Sequence, residues 1–145
     1  MKFADAGIAW TGLYVASKVV FALEGLLGVT GGPAVSPDSY LAYGPGEVAA
    51  AQWANAGAGV FVMAVLLAGR FGIGRRWAYL GVLGAHWLCA AVALVGAVGM
   101  VGGAVLTDRG GAVFGAYCAV WAALLFLAAH DLRRRHRPAA RLERV

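Results

Sequence analysis

Charge is scarce in this chain: only 13% of its 145 residues are Asp, Glu, Lys or Arg, while 61% are hydrophobic and mean hydropathy is +0.74. A water-facing surface cannot be assembled from that composition. The polar stripe that a soluble helical bundle turns to solvent is also missing from the three apolar stretches after residue 47, which excludes a soluble all-helical domain. Cys89 and Cys118 lie in apolar runs without CxxC or Cys/His spacing. They read as buried thiols, and neither a metal site nor a bound cofactor is expected. The basic, glycine-rich GRFGIGRR at 69–76 lacks the lysine and spacing of a phosphate-binding loop and reads as a turn. The first apolar stretch lacks a small-residue cleavage site and is interrupted by Lys18 and Glu24. It is expected to be a retained helix rather than a signal peptide, and no lipidation motif accompanies it.

What is present is apolar sequence in four blocks. A membrane-crossing helix needs about 20 apolar residues, so four spans consume more than half of the chain and leave little for a soluble domain. The fold expected is an all-α integral membrane protein, four transmembrane helices in an up-down bundle within 1–131. The spans fall at about 7–29, 48–69, 77–100 and 111–129, and a basic tail covers 132–145. TGGPAVSP ends the first span and VGGAVLTDRGG separates the third from the fourth, because glycine and proline punctuate helices.

Arginine gives the direction. Arg70, Arg75 and Arg76 lie between spans two and three, six more follow span four, and only Arg109 falls in a connection of the opposite side. The positive-inside rule then puts both termini in the cytoplasm, with the plasma (inner) membrane as the expected location. The formal charge of +5 sits beside apolar segments and in RRRHR. That placement points to membrane lipids as partners and not to nucleic acid. Trp10, Tyr14, Tyr43, Trp77 and Tyr79 lie near proposed span ends, where interfacial aromatics belong, and Ser36 with Pro37 is a start signal for a short interfacial helix through Tyr43. Gly28 with Gly32 and Gly99 with Gly103 have the spacing that lets helices approach closely.

The stretch SKVVFALEG, 17–25, places Lys18 and Glu24 inside the first span. Six positions apart, they diverge by about 240° in rotation and about 9 Å in rise, so they cannot pair with each other. An unpaired charge in hydrocarbon is costly, so each needs another partner, a changed protonation state or water. Lys18 can snorkel toward the cytoplasmic interface, whereas the shorter Glu24 lies in apolar FALEGLLGV. Depth counting places Lys18 level with His86, and Glu24 level with Asn55 and near Gln52. The candidate catalytic set is therefore Glu24 as proton donor with Asn55 and His86 orienting or relaying. Lys18, Gln52, Trp53, Trp87 and Trp121 form the candidate ligand-binding set, and no metal is expected. His86 lacks a second histidine facing it, since His130 and His136 lie at the end of span four and beyond, so a bis-histidine haem is not expected.

Three functions fit these residues. The first is a non-catalytic accessory subunit or scaffold whose intramembrane polar groups join helices, partnered by a second copy or another membrane protein. The second is a cyclase or isomerase for a lipophilic terpenoid-like small molecule, with Glu24 as general acid and aromatic faces stabilising a cation. Here Glu24, Asn55 and the tryptophans give an arrangement broadly similar to membrane-bound terpene cyclases, which implies an embedded carboxylate site; the second acid of such a site is not evident. The third is a proton-coupled transporter of a small lipophilic cation: four spans with a glutamate in the first resemble the small multidrug-resistance exporters, from which Lys18 and the long first loop depart. The layout is also loosely similar to DoxX-type small membrane proteins, whose activities vary.

Overall fold

The computed structural model describes residues 2–28, 44, 46–71, 73, 75–106 and 111–136. They form four helices: α1 (Lys2–Glu24), α2 (Glu47–Phe71), α3 (Arg76–Leu106) and α4 (Ala112–Arg135). Each is long and apolar enough to cross a membrane. Helices suit these segments because every backbone N–H and C=O in hydrocarbon must be paired, and a helix pairs them within the segment itself. At 1.5 Å per residue, α1, α2 and α4 are about 34–38 Å long and α3 about 46 Å, against a hydrocarbon core of about 30 Å. Leu88, Val92, Leu94, Val95 and Val98 of α3 stand exposed, with Leu13, Leu23, Phe61 and Val113 on the other helices. Apolar surface on that scale belongs against lipid. The chain is therefore a membrane protein whose described residues form four helices.

Four boundaries differ from those expected. Gly25 adopts φ +66° and Leu26 N–H donates to Phe21 O at 3.0 Å, which together close α1 in a Schellman turn. The first helix thus stops at Glu24 although the apolar sequence continues, and it also begins earlier, at Lys2. α3 runs through GGAVL to Leu106, past Met100, and α4 continues to Arg135 with Leu132 fully buried. The Ser36–Pro37 start signal, Gly32, Tyr43, Arg109 and the tail beyond His136 lie outside the described residues.

α1 packs most broadly on α2, and α3 on α4; α1 with α4 makes the next largest contact. Small residues set these approaches. A Cβ on Gly7 would lie 3.2 Å from Leu66 Cδ1, one on Gly59 2.5 Å from Val15 Cγ2, and one on Gly115 2.6 Å from Val101 Cγ2. Between α1 and α4 the joint is polar as well as aromatic. Trp10 stacks on Tyr117 with ring centroids 4.6 Å apart, the Tyr117 hydroxyl donates to Trp10 O, and Trp10 Nε1 donates back to Tyr117 O at 3.3 Å. Asp5 Oδ1 meets Arg70 Nε at 3.1 Å, joining α1 to α2, but both side chains are well exposed. Such a pair contributes about 0–1 kcal/mol.

Tyr14, expected at an interface, is instead buried in the core, where it faces Trp121 and Phe114. Its position follows from helical spacing: Trp10, Tyr14, Lys18 and Phe21 recur every three or four residues and share one face of α1. Trp10 is half-buried, whereas Trp77 is 82% exposed, as an interfacial anchor would be. Tyr79 is half-buried and stacks on His136 with ring centroids 3.9 Å apart.

Candidate functional site

Two buried polar side chains, Lys18 of α1 and Gln52 of α2, converge on one short stretch, the residues just beyond the end of α1. Lys18 is 4% exposed, and its Nζ donates to Gly28 O at 2.8 Å. Gln52 is 3% exposed, and its Nε2 donates to Leu26 O at 3.2 Å. Residues 25–28 have left the helix, so these two carbonyls have no helical N–H to accept from. A lysine six residues before the end of the same helix, and a glutamine from the neighbouring helix, supply the missing donors.

The Lys18 amine is also boxed by aromatic faces. Its Nζ lies 5.6 Å from the Tyr14 ring centroid, 5.8 Å from that of Phe21 and 5.7 Å from that of Phe114. Each is within the range at which a ring face attracts a cation, by about 0.5–2 kcal/mol. Phe21 in turn lies against Gly28, where a Cβ would come within 2.5 Å of the ring. Lys18 thus points inward and forward to the exit turn. It does not snorkel toward the α1 N-terminal end as expected.

Lys18 and His86 do not share a level. Lys18 lies beside Phe114 near the start of α4, while His86 packs with Gly69 against Leu132 near its end. The 18 residues between those positions span about 27 Å of helix. The late start expected for α1 accounts for about 8 Å of that difference, and the Lys18 side chain reaches further along, to Gly28 O. His86 is 1% exposed at the junction of α2, α3 and α4, and its Nδ1–H donates to Val82 O at 2.9 Å, the carbonyl being able only to accept. The ring therefore cannot retreat from Gly69, where a Cβ would stand 2.7 Å from His86 Cε1. Gly69→Ala is expected to cost about 1–3 kcal/mol of unfolding free energy. Denaturation by SDS in bicelles measures this, and an unchanged midpoint would show that the junction is looser than described.

The remaining candidates are dispersed. Glu24 is exposed at the end of α1 and makes no side-chain hydrogen bond or ion pair among the described residues; Asn55 is exposed as well. Among the described residues neither hydrogen-bonds to Gln52, whose Nε2 donates to Leu26 O and whose Oε1 has no partner. Nor do the three tryptophans line one cavity. Trp53 is 49% exposed, Trp87 meets Phe126 edge-on at 5.0 Å, and Trp121 is buried against Tyr14 at 4.9 Å. Among the described residues no three His, Cys, Asp or Glu side chains gather as a metal ion would need.

Among the described residues, two buried side-chain polar atoms have no hydrogen-bond partner, Gln52 Oε1 and Trp121 Nε1. Each costs about 1–3 kcal/mol where it stands. Sequence reading missed the parts of the site that are neither charged nor amide: the rings of Tyr14, Phe21 and Phe114 and the carbonyls of Leu26 and Gly28. The ring spacing on α1 was a readable signal; the carbonyls became available only through the Gly25 turn. No family model, curated protein or solved structure matches the chain. Function must therefore be argued from this geometry.

Proposed function

We propose that this protein is a non-catalytic scaffold or accessory subunit of the plasma (inner) membrane, in which intramembrane polar groups hold helices and their exit segment in place. One observation carries the reading: Lys18 and Gln52 are engaged on the chain's own carbonyls at Gly28 and Leu26, while Glu24 and Asn55 are exposed. A proton-transfer site needs its carboxylate among the groups that orient it. Here the groups best placed to act are already bonded to the backbone. The scaffold's partner would be a second copy or another membrane protein.

We read the helices as an up-down bundle with both termini cytoplasmic. Three joints support that sense: Asp5 with Arg70, Arg135 Nη2 to Gly69 O at 3.3 Å, and Tyr79 on His136. They tie the start of α1, the end of α2, the start of α3 and the end of α4 together. Arg70, Arg75, Arg76 and Arg133 to Arg135 then share one side, which the positive-inside rule makes cytoplasmic.

The test compares wild type with Glu24→Gln in two assays, conversion of a polyene or epoxide substrate in detergent and proton-coupled uptake of a lipophilic cation in liposomes. The scaffold reading expects no product and no pH-driven uptake from either protein. It also expects a photo-crosslinker replacing exposed Val95 to give, in native membranes, one adduct of fixed protein mass. A product lost in Glu24→Gln would establish the cyclase alternative, Glu24-dependent uptake without product the transporter, and labelling of lipid alone would remove the scaffold.

A further inference from the structure

We propose that the surroundings of the Lys18 amine are a cation site in their own right, one that takes a primary alkylammonium and that Lys18 occupies as a tethered ligand. The proposal is independent of the scaffold reading and can fail without it. It starts from the chemistry of the walls. Among the described residues they supply one backbone carbonyl, Gly28 O at 2.8 Å, and three aromatic faces at 5.6–5.8 Å. All four are attractive to positive charge, and none of them is an anion. Glu24, the nearest carboxylate along the chain, is exposed and has no part in the contacts of the amine.

The composition of those walls selects the ligand. Calcium takes six to eight oxygen ligands and magnesium a near-ideal octahedron, so one carbonyl and three rings suit neither. A guanidinium brings five donors in a fixed plane and would leave most of them unpaired. A primary ammonium on an alkyl stem fits: one N–H meets the carbonyl, and the remaining charge rests on ring faces while the stem packs on apolar neighbours. Gln52 adds an independent sign that this region is short of donors. It clasps the same exit segment at Leu26, two residues from Gly28, and its Oε1 is buried without a partner.

Truncating Lys18 to alanine removes three methylenes and the ammonium, which is the outline of n-propylammonium. If the walls form a site without the tether, that small molecule should refill it. The experiment follows SDS unfolding of purified Lys18→Ala in bicelles, with n-propylammonium chloride, with n-propanol, and with sodium chloride at equal ionic strength. A saturable rise of the midpoint is expected with n-propylammonium alone, recovering at least half of what the substitution lost. Wild type, its site already filled, should not respond. Adding Phe114→Leu to Lys18→Ala should weaken the apparent affinity roughly two- to thirty-fold, the range of one ring face.

Should Lys18→Ala not reach a folded state unaided, the readout becomes refolding yield from SDS with and without the ammonium, the same specificity being expected. Equal rescue by n-propanol would mean that only the apolar volume matters, and would overturn the proposal. So would a wild-type response of equal size, or no response from Lys18→Ala by either readout.

Discussion

Gly115→Ala should be among the most damaging single substitutions in the protein, lowering unfolding free energy in bicelles by about 1–3 kcal/mol, toward the upper end of what overpacking costs. An added Cβ would stand 2.6 Å from Val101 Cγ2, 3.1 Å from Val101 N and 3.2 Å from Ala97 O. Two of those atoms are α3 backbone, and the third belongs to a β-branched side chain with little rotamer freedom. The strain can be relieved only by moving α3 away from α4, the broadest helix contact in the fold. Val101→Ala added to Gly115→Ala should restore only part of the loss, because the backbone atoms remain. Gly57→Ala and Gly84→Ala make the contrast: nothing lies within 4 Å of a Cβ at either position. Those two should be neutral or gain up to about 1 kcal/mol from helix propensity.

Lys18→Ala is expected to cost about 2–5 kcal/mol, the range for emptying a buried long side chain. It removes the donor to Gly28 O and the charge held by Tyr14, Phe21 and Phe114, and it leaves a gap where the stem was packed. Lys18→Met separates these effects. Methionine keeps most of the stem and forfeits the charge, leaving Gly28 O without its donor and the three ring faces without their cation. Lys18→Met should therefore recover only the packing part of the loss and remain clearly less stable than wild type. For Gln52 the comparison differs, because its Oε1 is already unpaired. Gln52→Leu abandons Leu26 O but also removes that orphan, two terms of about 1–3 kcal/mol with opposite sign. A near-neutral Gln52→Leu beside a destabilising Gln52→Ala is the expected pattern.

Hydropathy made the four helices legible because its cause, the cost of polar groups in hydrocarbon, acts over whole segments. α2 was expected at 48–69 and occupies Glu47–Phe71. It failed where a helix ends inside apolar sequence. In FALEGLLGV nothing but Gly25 marks the turn, and a lone glycine among apolar residues reads equally as a packing position. It failed in the other direction on α4, whose helix continues through HDLRRR because its backbone bonds do not depend on lipid. The site suffered from both errors. Ranking groups by the cost of burial gave Glu24 priority, yet Glu24 is the last residue of α1 and is exposed. Lys18, credited with an escape to the interface, is the buried ion, because the chain turns back and offers it a carbonyl. Side-chain direction needed the turn, and the turn needed the glycine.

Lys18 and Gln52 act together to hold residues 25–28, through Gly28 O and Leu26 O. SDS unfolding in bicelles of Lys18→Ala, Gln52→Ala and their double variant, with Glu24→Gln alongside, tests this most directly. Both single variants should be destabilised, and the double should lose less than their sum by about 0.5–3 kcal/mol, since freeing the segment from one donor devalues the other. Glu24→Gln should unfold like wild type. Neutral behaviour of both alanine variants, with the loss confined to Glu24→Gln, would contradict the account.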